Sequence, residues 1–278
     1  MRISLDDLLF SKATFAKTDQ LLAIPRSDRV DRHLQQACRE MCTEFSEFFK
    51  PELGCLRGVQ LEIEFKSDAR PIFCKPRSVP FAMQEELVQT YDVGIVRCIW
   101  TPTSFNDWGT PIVPVRKAAQ TFNKPALHIC GDYSVTVNPQ LETHRHPLPL
   151  PEELIWRLGG SYGFTKIDLA DAHNQVSLGP NSRERLALST HHGVLLQTVL
   201  LFGISSAPGY FQQVMDEITS DLPGVAVYLD DILCSGATPE AHLQHLRRLL
   251  ESFRDKCNGT STITWQNAAI VTTNKYRS

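Results

Sequence analysis

What this chain lacks narrows its field first. No apolar run spans a bilayer: the longest, 193–204, is broken by Gln197 and Thr198, and Asp6 and Asp7 stand where a signal peptide needs an apolar core. No membrane partner is expected, and an intracellular setting is. The 8 cysteines, at 38, 42, 55, 74, 98, 130, 234 and 257, form no C-x-x-C pair and read as reduced packing thiols rather than a disulfide framework. Cys38 and Cys42 with His33 lack a fourth zinc ligand nearby. The paired histidines 144/146, 191/192 and 242/245 have no Cys or carboxylate at ligand spacing, so they read as surface or capping residues. Positive charge is not in excess either. With 28 Lys+Arg against 31 Asp+Glu, any nucleic-acid site must be a local basic strip.

What is present suits one large domain or two modest ones. A hydrophobic fraction of 42% supplies a core, and 21% charge argues against global disorder. Residues 29–49 read as an amphipathic helix, with Val30, Leu34, Cys38, Met41, Phe45 and Phe48 at three- and four-residue steps. Prolines 71, 76 and 80 impose an extended strip, and a short helix over 82–92 is expected to stop at Gly94. PIVPV (111–115) and HICGDY (128–133) read as paired strands, joined by a loop at 118–125 and closed by Asn138-Pro139. A helix opening with Glu152 and Glu153 ends at Gly159-Gly160. In GFTKIDLA (163–170), alternation places Phe164, Lys166 and Asp168 on one face and Ile167 and Leu169 on the other. Residues 207–220 and 239–253 read as helices, the latter with Leu243, Leu246, Leu250 and Phe253 on one side. From Cys257 the chain turns polar and loses any long period. Irregular alternation of strands and helices predicts an α+β fold with a largely antiparallel sheet.

AVYLDDILCSG (226–236) sets Asp230 and Asp231 in an apolar run with no Lys or Arg within three residues. It reads as a tight hairpin, strand 225–229 and strand 232–235 about an Asp-Asp turn. Aspartate alone favours turns through bonds to its own backbone. Against that, turn pairs usually carry Gly or Asn, and strands this apolar belong in the middle of a sheet. Asp168 ends another apolar strand. Like charges a few ångströms apart repel unless a cation sits between them, and oxygen-only ligands favour a hard ion such as Mg²⁺ over Zn²⁺. Paired Mg²⁺ ions are the usual device of in-line phosphoryl transfer.

At these residues the chain resembles a family. YLDD in an apolar hairpin is similar to the Y-x-D-D box of reverse transcriptases, and FTKIDLADAHNQV to their first palm aspartate motif. LLFGISSAPGYFQ resembles the segment lining nucleotide and template, while SFNDWGTPIVPV, ICGDYSVTVNP and HPLPLPEEL resemble the fingers and the approach to the palm in gypsy-type LTR retrotransposon polymerases. The likeness runs in order from about residue 43 to 253. It implies a right-hand polymerase: a leader with an amphipathic helix over 1–65, interleaved fingers and palm over 66–255 with a largely antiparallel palm sheet carrying the Y-x-D-D hairpin, and a divergent tail over 256–278, with no thumb. The activity implied is RNA-directed DNA polymerisation, a nucleotidyl transfer from a dNTP to a primer 3′-hydroxyl on an RNA or DNA template, within a larger Pol polyprotein. By the same resemblance, Asp168, Asp230 and Asp231 form the catalytic triad and, with the Leu169 carbonyl, hold two Mg²⁺, for which Mn²⁺ can substitute. Arg116, Lys117, His173, Phe202, Gly203 and Gln212 would surround the nucleotide, and Tyr228 would support the hairpin near the primer end.

Departures from the family pattern leave a second reading open, a catalytically dead remnant that binds nucleic acid or serves a structural role. His173 stands where the family has an aromatic, usually Tyr, beneath the sugar; His128 stands for a triphosphate-gripping Arg; Leu201 stands for Pro. The segment AAQTFNKPA replaces a short Gly-containing turn, and the helix after PFAM is expected to be about one turn short. A third reading, a cyclase-like palm acting on free nucleotide, leaves the fingers motifs without a job.

Overall fold

The computed structural model describes residues 28–49, 54–56, 58–116, 127–144, 146–158, 163–169, 171–257 and 265–271. The leader before residue 28, Lys117 with the loop 118–126, Gly159-Gly160 and the tail stretches 258–264 and 272–278 lie outside the described residues. In chain order the first elements are helix α1 (Asp28–Glu44), strand β1 (Gln60–Leu61), helix α2 (Phe81–Val96), and strands β2 (Trp100–Thr103), β3 (Thr110–Arg116) and β4 (Leu127–Gly131). Next come α3 (Pro151–Leu158), β5 (Gly163–Leu169), β6 (Ser177–Leu178), α4 (Pro180–Arg185), β7 (Leu188–Thr190) and β8 (Gly193–Gln197). They are followed by α5 (Ala207–Thr219), β9 (Val225–Tyr228), β10 (Asp231–Gly236), α6 (Pro239–Cys257) and β11 (Trp265–Val271). None of the described helices is long and apolar enough to cross a membrane.

Two compact units are interleaved along the chain, one from segments within 1–57, 146–172 and 211–278, the other from 58–145 and 173–210. The first unit is built on a four-stranded antiparallel sheet of order β11-β5-β10-β9. Thr165, Ile167 and Leu169 of β5 and Ile232 and Cys234 of β10 are buried, as the alternation of GFTKIDLA predicts for one face. Thr165 shares a 2.8 Å hydrogen bond with the His242 ring on α6, so His242 is a core residue and not the surface residue expected from its spacing. His191 and His192 are exposed as expected. Leu34, Cys38 and Met41 of α1 and Leu246, Leu249, Leu250 and Phe253 of α6 are buried, and Phe45 and Phe48 continue the α1 stripe through a 3₁₀ turn. Arg247 and Arg254 of α6 pair with Glu44 and Glu47 at the end of that stripe. Around α3, Leu154 and Leu158 pack with Ala226, Leu233, Phe164 and Tyr228.

One strand of this unit lies outside the elements that the sequence pattern predicts. The tail after Cys257 has no long period, yet Trp265–Val271 pairs with β5 as an edge of the sheet. A bulge between Trp265 and Asn267 falls at the register of Leu169 and Asp168, where bulges often accompany functional residues. Neighbouring backbone, rather than local pattern, makes this segment a strand: β5 offers an unpaired edge, and a strand can satisfy it with little help from side chains.

In the second unit a five-stranded sheet runs β2-β8-β7-β3-β4, and β1 pairs with β6 in a small parallel ribbon. Its pairings are antiparallel except β3 with β7. The α2 helix extends to Val96, 16 residues, beyond the stop expected at Gly94. Gly94 is buried inside it because the Trp100 ring lies where a side chain would project, a Cβ there falling 2.1 Å from the ring. The glycine is a packing residue rather than a terminator.

Candidate active site

The hairpin carrying Asp230 and Asp231 turns one residue earlier than the sequence suggests. Asp231 is already the first residue of β10, opposite Tyr228, so the turn pair is Leu229-Asp230 and not Asp230-Asp231. Leu229 takes φ 54°, a left-handed conformation that two-residue hairpins demand and that a Cβ resists by about 1–2 kcal/mol. A side chain from α5 holds the turn there. Gln212, fully buried, accepts a 2.8 Å bond from the Leu229 N–H and donates through Nε2 to the Val227 carbonyl at 3.1 Å. Its Nε2 also donates to Asp216 Oδ1 at 3.0 Å, and Asp216 Oδ2 in turn bonds His146 Nε2 at 2.8 Å. His146, Asp216 and Gln212 thus form one chain of bonds ending on the hairpin backbone.

On its other side the hairpin is tied to β5. The Leu169 N–H donates to the Asp230 carbonyl at 3.1 Å, and in the strand register Asp231 lies directly opposite Asp168. Directly opposed residues of an antiparallel pair have Cβ atoms about 4.5–5.5 Å apart, a spacing at which two carboxylates repel. Asp231 has a cationic neighbour, Lys166 Nζ, at 3.3 Å from Oδ1. Lys166 precedes Asp168 by two residues and shares its strand face, a signal present in the alternation of FTKIDLADAHNQV, although the resemblance assigns Lys166 no role. The backbone register sets Asp168 beside the turn that carries Asp230 and Asp231, and the Lys166 ammonium lies at Asp231. Such a set of aspartates fits a hard divalent cation. Among the described residues no three His, Cys, Asp or Glu side chains gather closely enough to hold a metal by themselves; for Asp168 the structure describes the strand register.

Of the residues expected around a nucleotide, Gln212 belongs to this first unit, where its amide serves the hairpin. Tyr228, expected to support the hairpin, packs on the cluster of Leu154, Leu158, Ala226 and Leu233. The other described ones lie in the second unit. His173 is 2% exposed, with its ring centroid 4.4 Å from that of Phe202. Gly203 has φ +100°, its carbonyl accepts from Asn138 Nδ2 at 2.9 Å, and a Cβ there would meet the Gly131 carbonyl at 3.1 Å. Glycine is therefore required twice over, by its backbone angle and by a close approach. Arg116 ends β3 with its half-exposed guanidinium 3.7 Å from the mostly buried Glu86 carboxylate, a loose pair. His128 lies within β4 opposite Val115.

A family model described as reverse transcriptase (RNA-dependent DNA polymerase) matches residues 115–261, more than half of the chain. The chain belongs to the reverse transcriptase family. Over 217 residues this reverse transcriptase chain is 33% identical to an uncharacterized protein of Caenorhabditis elegans, the match covering 76% of the chain and 16% of that protein. It is 26% identical over 206 residues to the Tf2-3 transposon polyprotein of Schizosaccharomyces pombe, covering 72% of the chain and 15% of the polyprotein. The chain therefore spans about one-sixth of the curated relatives it matches. Among solved structures, the prototype foamy virus protease-reverse transcriptase superposes with TM-score 0.72 at 18% identity, over 92% of this chain and 33% of that one. A foamy viral protease-reverse transcriptase in complex with an RNA/DNA hybrid superposes with TM-score 0.71 at 17% identity, over 94% of this chain and 33% of that one. These likenesses establish the polymerase fold, α+β with a mostly antiparallel sheet, that the motif order implies.

Proposed function

We propose that this chain is the fingers and palm, within residues 66–255, of a gypsy-type LTR retrotransposon polymerase. It would transfer a nucleotide from a dNTP to a primer 3′-hydroxyl on an RNA or DNA template, inside the cell and as part of a larger polyprotein. The observation that carries this reading is the register of Asp231 opposite Asp168, with Asp230 in a turn clamped by Gln212. Asp168, Asp230, Asp231 and the Leu169 carbonyl would hold two Mg²⁺. When bound, these ions supply activation of the attacking hydroxyl and neutralisation of the triphosphate.

The chain's own residues divide the remaining work. Asp230 and Asp231 present carboxylate oxygens from a turn whose backbone has one geometry, which limits how far they move when charge arrives. Tyr228, one turn-length before them and seated on an apolar cluster, would support the primer end. Arg116 and Lys117 would meet the triphosphate, where a guanidinium can exchange its loose contact with Glu86 for phosphate oxygens. His173, Phe202 and Gly203 would form the wall against sugar and base. A buried imidazole there, in place of a Tyr ring, predicts weak discrimination between deoxyribo- and ribonucleotides. Primer extension with Mg²⁺ or Mn²⁺ on an RNA template tests the reading. Incorporation that is lost in the Asp230→Asn/Asp231→Asn double variant supports it, and equal activity in both proteins refutes it.

A further inference from the structure

We propose that Lys166 is a resident counter-ion of the carboxylate site, which occupies Asp231 until a divalent cation takes its place. The proposal rests on the metal-binding reading above and adds a residue to it. Lys166 pairs across the sheet with Leu233, two residues beyond Asp231 on the same face of β10. A diagonal neighbour at that offset is too far for a short side chain but within the reach of a long one. The Lys166 ammonium uses that reach: Nζ sits 3.3 Å from Asp231 Oδ1, with the two side chains only 15% and 14% exposed. Burial to that degree makes an uncompensated carboxylate costly, and the register opposes it with a second aspartate. A positive charge from the fold itself lets the hairpin form before any metal arrives.

Lysine suits such a temporary role. An ammonium is a compact, strongly hydrated point charge on a flexible stem, unlike the planar fork with which arginine grips a carboxylate by two bonds. It can therefore leave Asp231 without dismantling a bidentate pair. The consequence is competition. A metal ion entering the site must displace the ammonium, so the metal-free protein binds divalent ions more weakly than its carboxylates alone would. The displaced ammonium keeps its stem on the same strand face, available to another anion.

Direct titration of the metal-free protein with Mn²⁺, followed by electron paramagnetic resonance of the unbound ion, reads this without any need for polymerase activity. Lys166→Met, which keeps an unbranched stem and removes the charge, is expected to tighten Mn²⁺ binding on the order of fivefold or more, the scale of an ordinary coupling between sites. Lys166→Arg, whose fork holds a carboxylate by two bonds, is expected to bind Mn²⁺ no more tightly than wild type, and Lys166→Gln provides a second charge-free variant should the Met variant fold poorly. The Asp230→Asn/Asp231→Asn protein is the control. If it binds Mn²⁺ as well as wild type does, the metal reading itself falls. If that control loses binding while Lys166→Met and Lys166→Gln bind no more tightly than wild type, the Lys166 proposal alone is overturned.

Discussion

Replacing Gln212 by leucine is the most informative single perturbation of the hairpin. Leucine nearly matches glutamine in volume, so the fully buried site stays filled while every polar contact is removed. Two contacts fix the turn, the 2.8 Å bond from Leu229 N–H and the 3.1 Å bond to the Val227 carbonyl. Each buried group left without a partner costs about 1–3 kcal/mol, and the Leu229 amide, being half-buried, recovers part of its loss from water. The strain at Leu229, roughly 1–2 kcal/mol, is then opposed by nothing on the α5 side, and relaxation of φ returns some of it. The sum is a destabilisation of about 2–4 kcal/mol. For a chain of this size that corresponds to a fall in melting temperature of about 3–7 °C. Chemical denaturation and hydrogen exchange at the Leu229 amide measure the two halves of the argument. Stability within about 0.5 kcal/mol of wild type, or an unchanged Leu229 exchange rate, would refute the idea that Gln212 holds the turn.

Two further perturbations probe other parts of the chain. Gly94→Ala should destabilise by about 1–3 kcal/mol, although alanine is the better helix former, because its Cβ must displace the Trp100 ring; urea unfolding with tryptophan fluorescence as the probe checks it. Asp132 is held below the ordinary carboxylate range by the Ser134 hydroxyl first and by the Arg77 guanidinium after it. A lowered native value means this carboxylate adds stability above the unfolded-state value of about 3.9 and loses it as pH falls through the native one. Asp132→Asn should therefore lose less stability than wild type between about pH 4 and pH 2, which acid unfolding curves of the two proteins will show.

The parts of the fold that were legible in the sequence are those where a residue's local pattern and its final surroundings agree. Alternation in GFTKIDLA places Thr165, Ile167 and Leu169 against the core, and helical spacing in residues 29–49 places Leu34, Cys38, Met41, Phe45 and Phe48 there. Elsewhere the surroundings override the pattern, each time through a partner on another element or an unpaired backbone edge. Gly94 has the chemistry of a helix terminator, but a tryptophan from the next strand gives it another use. His242 looks like one of a surface pair, but Thr165 takes its ring nitrogen in the core. Trp265–Val271 shows little strand character of its own, and the open edge of β5 supplies it.

The candidate site divides along the same line. The carboxylates were legible because two charges in an apolar run conflict with their neighbours, and such conflict is visible in the sequence itself. The residues that resolve the conflict agree with theirs: a glutamine in a helix, an aspartate one turn on, a histidine before a proline, a lysine in an alternating strand. Gln212 reaches Leu229 across 17 positions, and His146 reaches Asp216 across 70. Only the fold brings them together, so no spacing rule could announce them. It follows that conservative changes at the supports, such as Gln212→Leu or Lys166→Met, leave all three aspartates in place. They would nevertheless alter the turn or the charge on which those aspartates depend. A chain can keep its Y-x-D-D box and lose the geometry that makes the box useful. In this chain Gln212 bonds the hairpin backbone directly, and Asp216 and His146 extend that chain of bonds behind it, so the turn that carries the aspartates has its support in place.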